Sequence, residues 1–371
     1  MRTVLITGAD GFIGKNLVTS LEQNKDLKIL TYNRNNTIEE LEQLIKKSDF
    51  IFHLAGVNRP QDLSEYDSGN RGFTEHLLNL LDKQNRKIPV LFSSSIQATL
   101  NNPYGISKLA AEQALLSWSK NNGINIYIYR LPNVFGKWCH PNYNSVVATF
   151  CYNIARGLPI NINDPSKELT LVYIDDVVSE FINALNGNPH MDEDGYCIIP
   201  RTFKITLQEL ADKLFEFAQS RKSLIMPDFE DDFTRFLYAT YVSYLPEDDF
   251  GYELDMKSDN RGWLAEFIKS RHFGQIFISK TKPGITRGNH WHHTKVEKFL
   301  VIQGEALIKF RQIRGDNVIE YRVSGDNLKV LDIPAGYTHS ITNIGDTDLI
   351  TIFWADEIFE PDKPDTYYME V

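Results

Sequence analysis

Over roughly the first 200 residues, short apolar runs alternate with longer amphipathic stretches. "TVLITG", "LKILTY", "DFIFHLAG", "PVLFSSS" and "INIYIYRL" are near-continuous apolar runs of strand length, which suits strands buried on both faces of a parallel sheet. "FIGKNLVTSLEQ", "FTEHLLNLLDKQ" and "SKLAAEQALLSWSKNN" read as helices between them. Repeated strand–helix–strand units predict an α/β N-terminal domain with a Rossmann-type doubly wound parallel sheet. "LQELADKLFEFAQ" and "FTRFLYATYVSYL" read as further helices that cap a substrate lobe.

The rhythm breaks in "PEDDFGYELDMKSDNRG", residues 246–262, which is polar and rich in Asp and Gly. Beyond it come closely spaced strands with Gly turns: "GQIFISKT", "KFLVIQGEALIKFRQI", "NVIEYRVSG", "LKVLDIPAG" and "DLITIFWA". Helical spacing disappears, which predicts an all-β C-terminal domain, a barrel or jelly roll. The expected domains are 1–245 and 246–371. No internal repeat or low-complexity tract is present.

Composition narrows the function classes. Hydrophobic content of 42% and charged content of 24% are those of an ordinary soluble globular protein. A net charge of −10 argues against nucleic acid or an anionic membrane as the main partner. No apolar run approaches the ~18 residues of a membrane span. Cys139, Cys151 and Cys197 lie far apart, which suits a reducing cytoplasm without a disulfide framework. The opening "MRTVLITGADGFIG" runs straight into a strand and a glycine turn, so it reads as a folded start and not a signal peptide.

The first candidate chemistry is nucleotide binding. "TGADGFIG" places Gly8, Gly11 and Gly14 directly after a strand and at the head of a helix. Glycines let the backbone approach a pyrophosphate, and the helix N-terminus supplies free N–H groups and positive potential. The second strand ends "ILTYNRN", with Arg34 and no acid. An acid there would bind the ribose 2′-hydroxyl of NAD, whereas the guanidinium fork of arginine suits a 2′-phosphate. The expected cofactor is therefore NADP(H). Further on, Tyr104 and Lys108 are four apart on a predicted helix and share a face. A nearby ammonium lowers a phenol's pKa, and a serine of the preceding "FSSS" can bond the same carbonyl oxygen. Such a trio suits hydride transfer to a ketone. His53 in "IFHLAG" reads as a packing residue, Asp175 and Asp176 as loop ties, and Cys139 and His140 as loop residues, with lining a pocket as their alternative.

On these motifs the first 245 residues resemble the extended short-chain dehydrogenase/reductases, with "TGADGFIG", "DFIFHLAG", "NRGFTEHLL", "FSSS", "YGISK", "RLPNVFG" and "LVYIDDVV" in order. Members of that family act mostly on nucleotide sugars. The resemblance implies Tyr104 as proton donor, Lys108 as its tuner and Ser95 as the carbonyl partner, with Ser94 the alternative serine. It also implies cofactor contacts at Phe12, Ile13, Leu54, Ala55, Tyr104 and Lys108, and a substrate contact at Asn133. The link from Ser95 to Tyr104 is much shorter than is usual in the family, so substrate contacts from that loop do not carry over.

The second candidate chemistry is a metal site. In "GITRGNHWHHTKVEKFLVIQG", His290 and His292 share one strand face, and Glu297 follows on the next strand. "DIPAGYTHSITN" adds His339. Three imidazoles and a carboxylate suit one divalent ion, Zn²⁺ first, with Fe, Mn, Co and Ni as alternatives. The spacing Gly284, His290-x-His292, Glu297, Gly304, then Pro334, Gly336, His339 and Asn343, resembles the cupin pattern, lacking only its second leading glycine. His293 is off the pattern and should face away from the metal, with a role in lining a pocket as the alternative. "DNRGWLAEF" and "RGNH" also resemble the dTDP-4-keto-6-deoxyglucose 3,5-epimerase branch of cupins, whose base is the histidine corresponding to His290.

The whole chain thus resembles bifunctional capsular-polysaccharide enzymes in which an extended reductase is fused to a cupin. That resemblance implies C3 epimerisation of a UDP-4-keto-6-deoxy-N-acetylhexosamine, then NADPH-dependent C4 reduction to UDP-2-acetamido-2,6-dideoxy-L-talose, in a cytoplasmic homodimer. The competing expectation is a reductase alone, with the cupin as a dimerisation or ligand-sensing module.

Overall fold

A computed structural model describes residues 1–371 except 255, 260–261, 266–267, 269–273 and 358–361. Part of the epimerase-like "DNRGWLAEF" segment therefore lies outside the described residues. Contacts group the chain into two units, Met1–Ser145 with Leu169–Ile205, and Val146–Glu168 with Thr206–Val371.

The first unit is built on β1 (Arg2–Thr7), α1 (Phe12–Leu21), β2 (Leu27–Tyr32), α2 (Ile38–Lys47), β3 (Phe50–His53), α3 (Ser64–Tyr66), α4 (Phe73–Lys83), β4 (Val90–Ser95), α5 (Pro103–Asn122) and β5 (Ile126–Leu131). The strands form a parallel sheet in the order β2-β1-β3-β4-β5. Val4, Leu5, Ile6, Ile51, Phe52, Val90 and Leu91 are fully buried, as the unbroken apolar runs require of a sheet covered on both faces. The strand order reverses between β1 and β3, so their carboxyl ends open the crevice where such sheets bind ligands. A second sheet joins β6 (Asn133–Phe135), β7 (Glu168–Tyr173) and β8 (Phe203–Thr206).

The second unit opens with α6 (Val146–Ala155) and continues with α8 (Leu207–Ser223) and α9 (Asp232–Val242), α7 (Ile174–Leu185) lying in the first unit. Thr206 and Glu209 form a capping box on α8, and Asp231 caps α9. The strands that follow are β9 (Gly251–Glu253), β10 (Met256–Asp259), β11 (Gly262–Ala265), β12 (Gln275–Thr281), β13 (Thr286–Trp291), β14 (Glu297–Gln303), β15 (Glu305–Gln312), β16 (Val318–Ser324), β17 (Lys329–Ile333), β18 (Tyr337–Asn343), β19 (Leu349–Ala355) and β20 (Tyr367–Tyr368). Two five-stranded sheets result, in the orders β12-β19-β14-β17-β9 and β16-β15-β18-β13-β20, and every strand pairing recorded within them is antiparallel. Period-two alternation turns Glu297 and Phe299 toward the other sheet and Lys298 the opposite way, toward the helices. There Lys298 ion-pairs with Asp332, and Arg221 of α8 stands 3.4 Å from Asp332 and 3.0 Å from Asp249. Phe229 packs on Trp354 at 5.8 Å. By packing, then, residues 206–245 belong with the β strands, although the sequence pattern breaks after them. Among the described residues no helix is long and apolar enough to cross a membrane.

Candidate functional site

At the end of β1, Gly8 adopts φ +72°, and a Cβ there would stand 2.8 Å from the Ala55 backbone nitrogen. A Cβ on Gly14 would stand 2.3 Å from the Gly8 carbonyl oxygen. Both positions exclude a side chain, so the turn closes tightly onto β3. Gly11 precedes α1 in extended conformation and caps it with no side chain. The first turn, Phe12 and Ile13, therefore presents N–H groups and the positive end of the helix dipole at the sheet's carboxyl edge. Leu54 and Ala55 lie beside this turn, their N–H groups donating to the Thr7 carbonyl and hydroxyl, each at 3.2 Å. Arg34 is exposed just past β2. Its neighbour Asn33 accepts the Asp10 N–H at 3.0 Å, which joins the β2 end to the glycine turn.

Ser95 ends β4 and caps a 3-10 turn, Ile96–Thr99. Asn102 then caps α5, accepting the Gly105 N–H at 2.8 Å. A Cβ on Gly105 would stand 2.1 Å from the Gln97 carbonyl, so the short link lies directly against the helix. Tyr104 stands in the first turn of α5, where its phenol feels the Ser95 side chain. Its phenol is not lowered as the sequence suggested. Burial raises it, the Ser95 contact works the other way, and Tyr66 raises it further. The Lys108 ammonium is instead directed at the Ser93 carbonyl, 2.7 Å away, over the Phe92 ring. Lys108 is only 4% exposed, and burial brings it down to about 7 against the opposing pull of Glu112.

Ser94 is committed elsewhere, because its hydroxyl donates to the fully buried Glu112. Arg130 grips the same carboxylate, with contacts of 2.6 and 3.1 Å, and also meets the Tyr196 hydroxyl at 2.7 Å. Sequence reasoning missed Glu112. The signal was present, since it stands one more helical step of four beyond Tyr104 and Lys108. Asn70 was also missed. It sits in a π-helical turn, Asp67–Gly72, and bonds Ser107 of α5 and both backbone groups of Val57, each at 2.9 Å. Asn133 is exposed and donates to the Thr170 carbonyl at 3.3 Å. His53 is fully buried between the Thr7 and Thr74 hydroxyls, and burial takes it down to about 3. Asp175 holds Lys137 at 3.0 Å and Asp176 holds Arg201, as loop ties do.

The second constellation lies in the β strands. Gly288 and Asn289 take positive φ of 93° and 56°, and the register of β13 against β18 slips between Gly288 and His290. Such a bulge re-aims the residues after it. It sets His290 directly opposite His339, with ring centroids 4.6 Å apart, and His292 follows at 5.0 Å from His290. Glu297 opens β14, its Oε2 lying 3.3 Å from His292 Nε2 and 3.5 Å from His339 Nε2. The donor atoms of all four residues lie within 4.8 Å of one another. Ligands around a tetrahedral Zn²⁺ stand about 3.3 Å apart, so the spacing is of the right scale. His292 Nε2 and His339 Nε2 are buried and make no hydrogen bond. Their Nδ1 atoms face backbone carbonyls of Asp365 and Tyr337, the arrangement that leaves Nε2 free as a ligand. Burial alone would raise Glu297, but the two histidines hold it well below the usual carboxylate range. Burial and the neighbouring imidazoles take His290 down to about 4, so it is neutral at pH 7. The donor set therefore fits one divalent ion. His293 packs between Trp291 and Tyr367, at 4.5 and 5.1 Å.

Residues 4–193 match the NAD dependent epimerase/dehydratase family, and residues 257–367 match the polysaccharide biosynthesis C-terminal domain. The chain belongs to the NAD-dependent epimerase/dehydratase family. Along almost its whole length it is similar to a UDP-2-acetamido-2,6-beta-L-arabino-hexul-4-ose reductase of Pseudomonas aeruginosa, with 45% identity over 368 residues, 99% of this chain and 98% of the relative. A crystal structure of the capsular polysaccharide assembling protein CapF from Staphylococcus aureus covers 99% of this chain and 100% of that one, at 52% identity and a TM-score of 0.69. The UDP-glucuronic acid 4-epimerase of Bacillus cereus, solved with NAD, is 20% identical over 58% of this chain and 83% of that one, with a TM-score of 0.52, and shares the fold.

Proposed function

We propose that this chain is a bifunctional nucleotide-sugar enzyme of capsular or surface polysaccharide precursor synthesis. Residues 246–371 form a metal-binding cupin that inverts C3 of a UDP-4-keto-6-deoxy-N-acetylhexosamine. Residues 1–245 then reduce the C4 ketone with NADPH to give UDP-2-acetamido-2,6-dideoxy-L-talose. The observation that carries this reading is the presence of both constellations, Ser95–Tyr104–Lys108 and His290–His292–Glu297–His339, in a chain similar from end to end to a UDP-hexulose reductase.

The order follows from chemistry. A C–H beside a ketone is acidic because its anion spreads onto oxygen, and reduction removes that acidity. Epimerisation must precede reduction. A divalent ion, Zn²⁺ on this donor set, would be held by His290, His292, Glu297 and His339 and supplies positive charge that favours enolisation. Bound NADPH supplies the hydride. Ser95 donates to the C4 oxygen and fixes its direction, and Tyr104 delivers the proton as the oxygen gains charge. Lys108, buried beneath, holds positive charge near that proton. Gly8, Gly11 and Gly14 admit the pyrophosphate, and Arg34 takes the 2′-phosphate. A homodimer in the cytoplasm is part of the same proposal.

A reductase-only reading has one observation in its favour. His290, at the position of the base in metal-free epimerases, is a member of the metal cluster. The test is to supply a UDP-4-keto-6-deoxy-N-acetylhexosamine in heavy water and follow it by NMR, with and without NADPH. Deuterium at C3 without NADPH, and the talo product with it, is expected. Reduction without exchange leaves the reductase alone, and neither reaction sinks both readings. Arg34→Ala should narrow the preference for NADPH over NADH about tenfold or more, through loss of the charge-assisted phosphate contact.

A further inference from the structure

The segment Asp365–Glu370 crosses both strands that carry the metal-site histidines. Tyr367 and Tyr368 pair with Trp291 and His290 of β13, and Met369 N–H donates to the Asn289 carbonyl at 2.9 Å. On the far side, Thr338, next to His339, donates its hydroxyl to the Met369 carbonyl, and Arg311 donates to the Glu370 carbonyl at 2.7 Å. The strap begins at Asp365. Its backbone carbonyl faces Nδ1 of His292. Its carboxylate accepts the N–H groups of His293, Thr294 and Lys295 at 2.9, 2.7 and 2.8 Å, and the Thr294 hydroxyl at 2.9 Å. Those residues form the turn that joins His292 to Glu297. Thr366 adds a contact of 2.9 Å to the ammonium of Lys295, which itself lies 3.9 Å from Glu297 Oε1.

We propose that Asp365 is a positioning residue of the metal centre: it sets the His292 ring through its carbonyl and the His292–Glu297 spacing through its carboxylate. The proposal rests on the metal reading given above. A carboxylate taking three successive N–H groups fixes the turn as rigidly as a helix cap fixes a first turn, and the charge-assisted bonds are the strong ones. The carbonyl selects the His292 tautomer with Nδ1–H, leaving Nε2 as a lone-pair donor. One residue thus governs two of the four ligands from some seventy positions away in the chain. It does so without touching the metal position, so its loss should weaken the ion's hold and leave the ligand count intact.

The experiment measures zinc affinity of the full chain, without sugar or nicotinamide, by competition with a chromogenic chelator, and records the visible spectrum of the cobalt(II) form. Asp365→Ala should weaken zinc binding about 10–100-fold, the usual cost of losing such an outer partner, and alter the cobalt spectrum, with near-UV circular dichroism unchanged. Asp365→Asn, which keeps one acceptor, should fall between. Wild-type affinity and spectrum in Asp365→Ala overturn the proposal. Should that variant not fold, Asp365→Asn and Thr294→Val take its place, and wild-type affinity in both overturns it equally. A wild-type chain that takes up no zinc overturns this proposal and the metal reading together. A chain that binds zinc yet leaves the sugar unexchanged in heavy water sinks only the epimerase step, and the affinity comparison still decides the role of Asp365.

Discussion

The two constellations are made by different means. Tyr104, Lys108 and Glu112 are successive steps of four on one helix, so their alignment needs only the 3.6-residue turn. The histidine–glutamate cluster draws its members from β13 and the residue just past it, β14 and β18, and needs a bulge, a sheet register and a strap to converge. The first depends on local geometry, whereas the second depends on pairing between residues far apart in sequence. Damage should accordingly stay local in the first and spread in the second.

The largest expected effect is a double dissociation. Tyr104→Phe should lower NADPH oxidation by about 10²–10⁴-fold, the range of a lost general acid, and leave solvent exchange at C3 untouched. His339→Ala should abolish exchange and stoichiometric zinc, measured by NMR and elemental analysis, with NADPH oxidation on an already epimerised sugar preserved. If either variant lost both activities, the sites would not be separable as described.

Next in size is a contrast between neighbouring serines. On the proposed mechanism Ser95→Ala should lower reduction about 10-fold or more with little change in melting temperature, because its hydroxyl is the proposed donor to the ketone oxygen. Ser94→Ala should spare catalysis and cost about 1–3 kcal/mol of stability, because it strips a donor from buried Glu112. Thermal melts and initial rates distinguish the two.

The smallest effect is a shift in pH dependence. Burial lowers Lys108 to about 7 and Glu112 pulls it back up. Its charge is present below that value and is lost as pH rises through it, so reduction should decline on the alkaline side. In Glu112→Gln the upward pull is gone, and the decline should begin at lower pH. The charged group acting on this lysine is Glu112, which also holds Arg130, whereas buried His53 is itself lowered by Lys108 and carries no charge in this range. An unmoved profile would mean that Glu112 only holds the helix in place.

The same contrast explains what could be read from the residues alone. The β1 turn with Gly8 and Gly14, the five parallel strands and the Tyr104–Lys108 face were legible because each is written within about a dozen residues. The four residues of the histidine–glutamate cluster were legible as types and spacings, but nothing in the chain near Asp365 announces that it reaches back to the His292 turn. Such contacts depend on which strands pair, and the spacing of "KPDTYYM" does not encode that. The direction of the Tyr104 shift was misjudged for a related reason. Burial of the phenol is a property of the packed interior, and proximity in sequence to an ammonium did not reveal that the ammonium points at Ser93.

The ion pairs of Arg221 and Lys298 with Asp332 have a practical meaning for anyone who wishes to study the two proposed activities apart. Scission after residue 245, where the sequence pattern changes, would leave Arg221 without its acids and Phe229 without the indole of Trp354. The N-terminal fragment so produced should be insoluble or prone to self-association on size-exclusion chromatography. Each function is better silenced in the intact polypeptide, one side chain at a time.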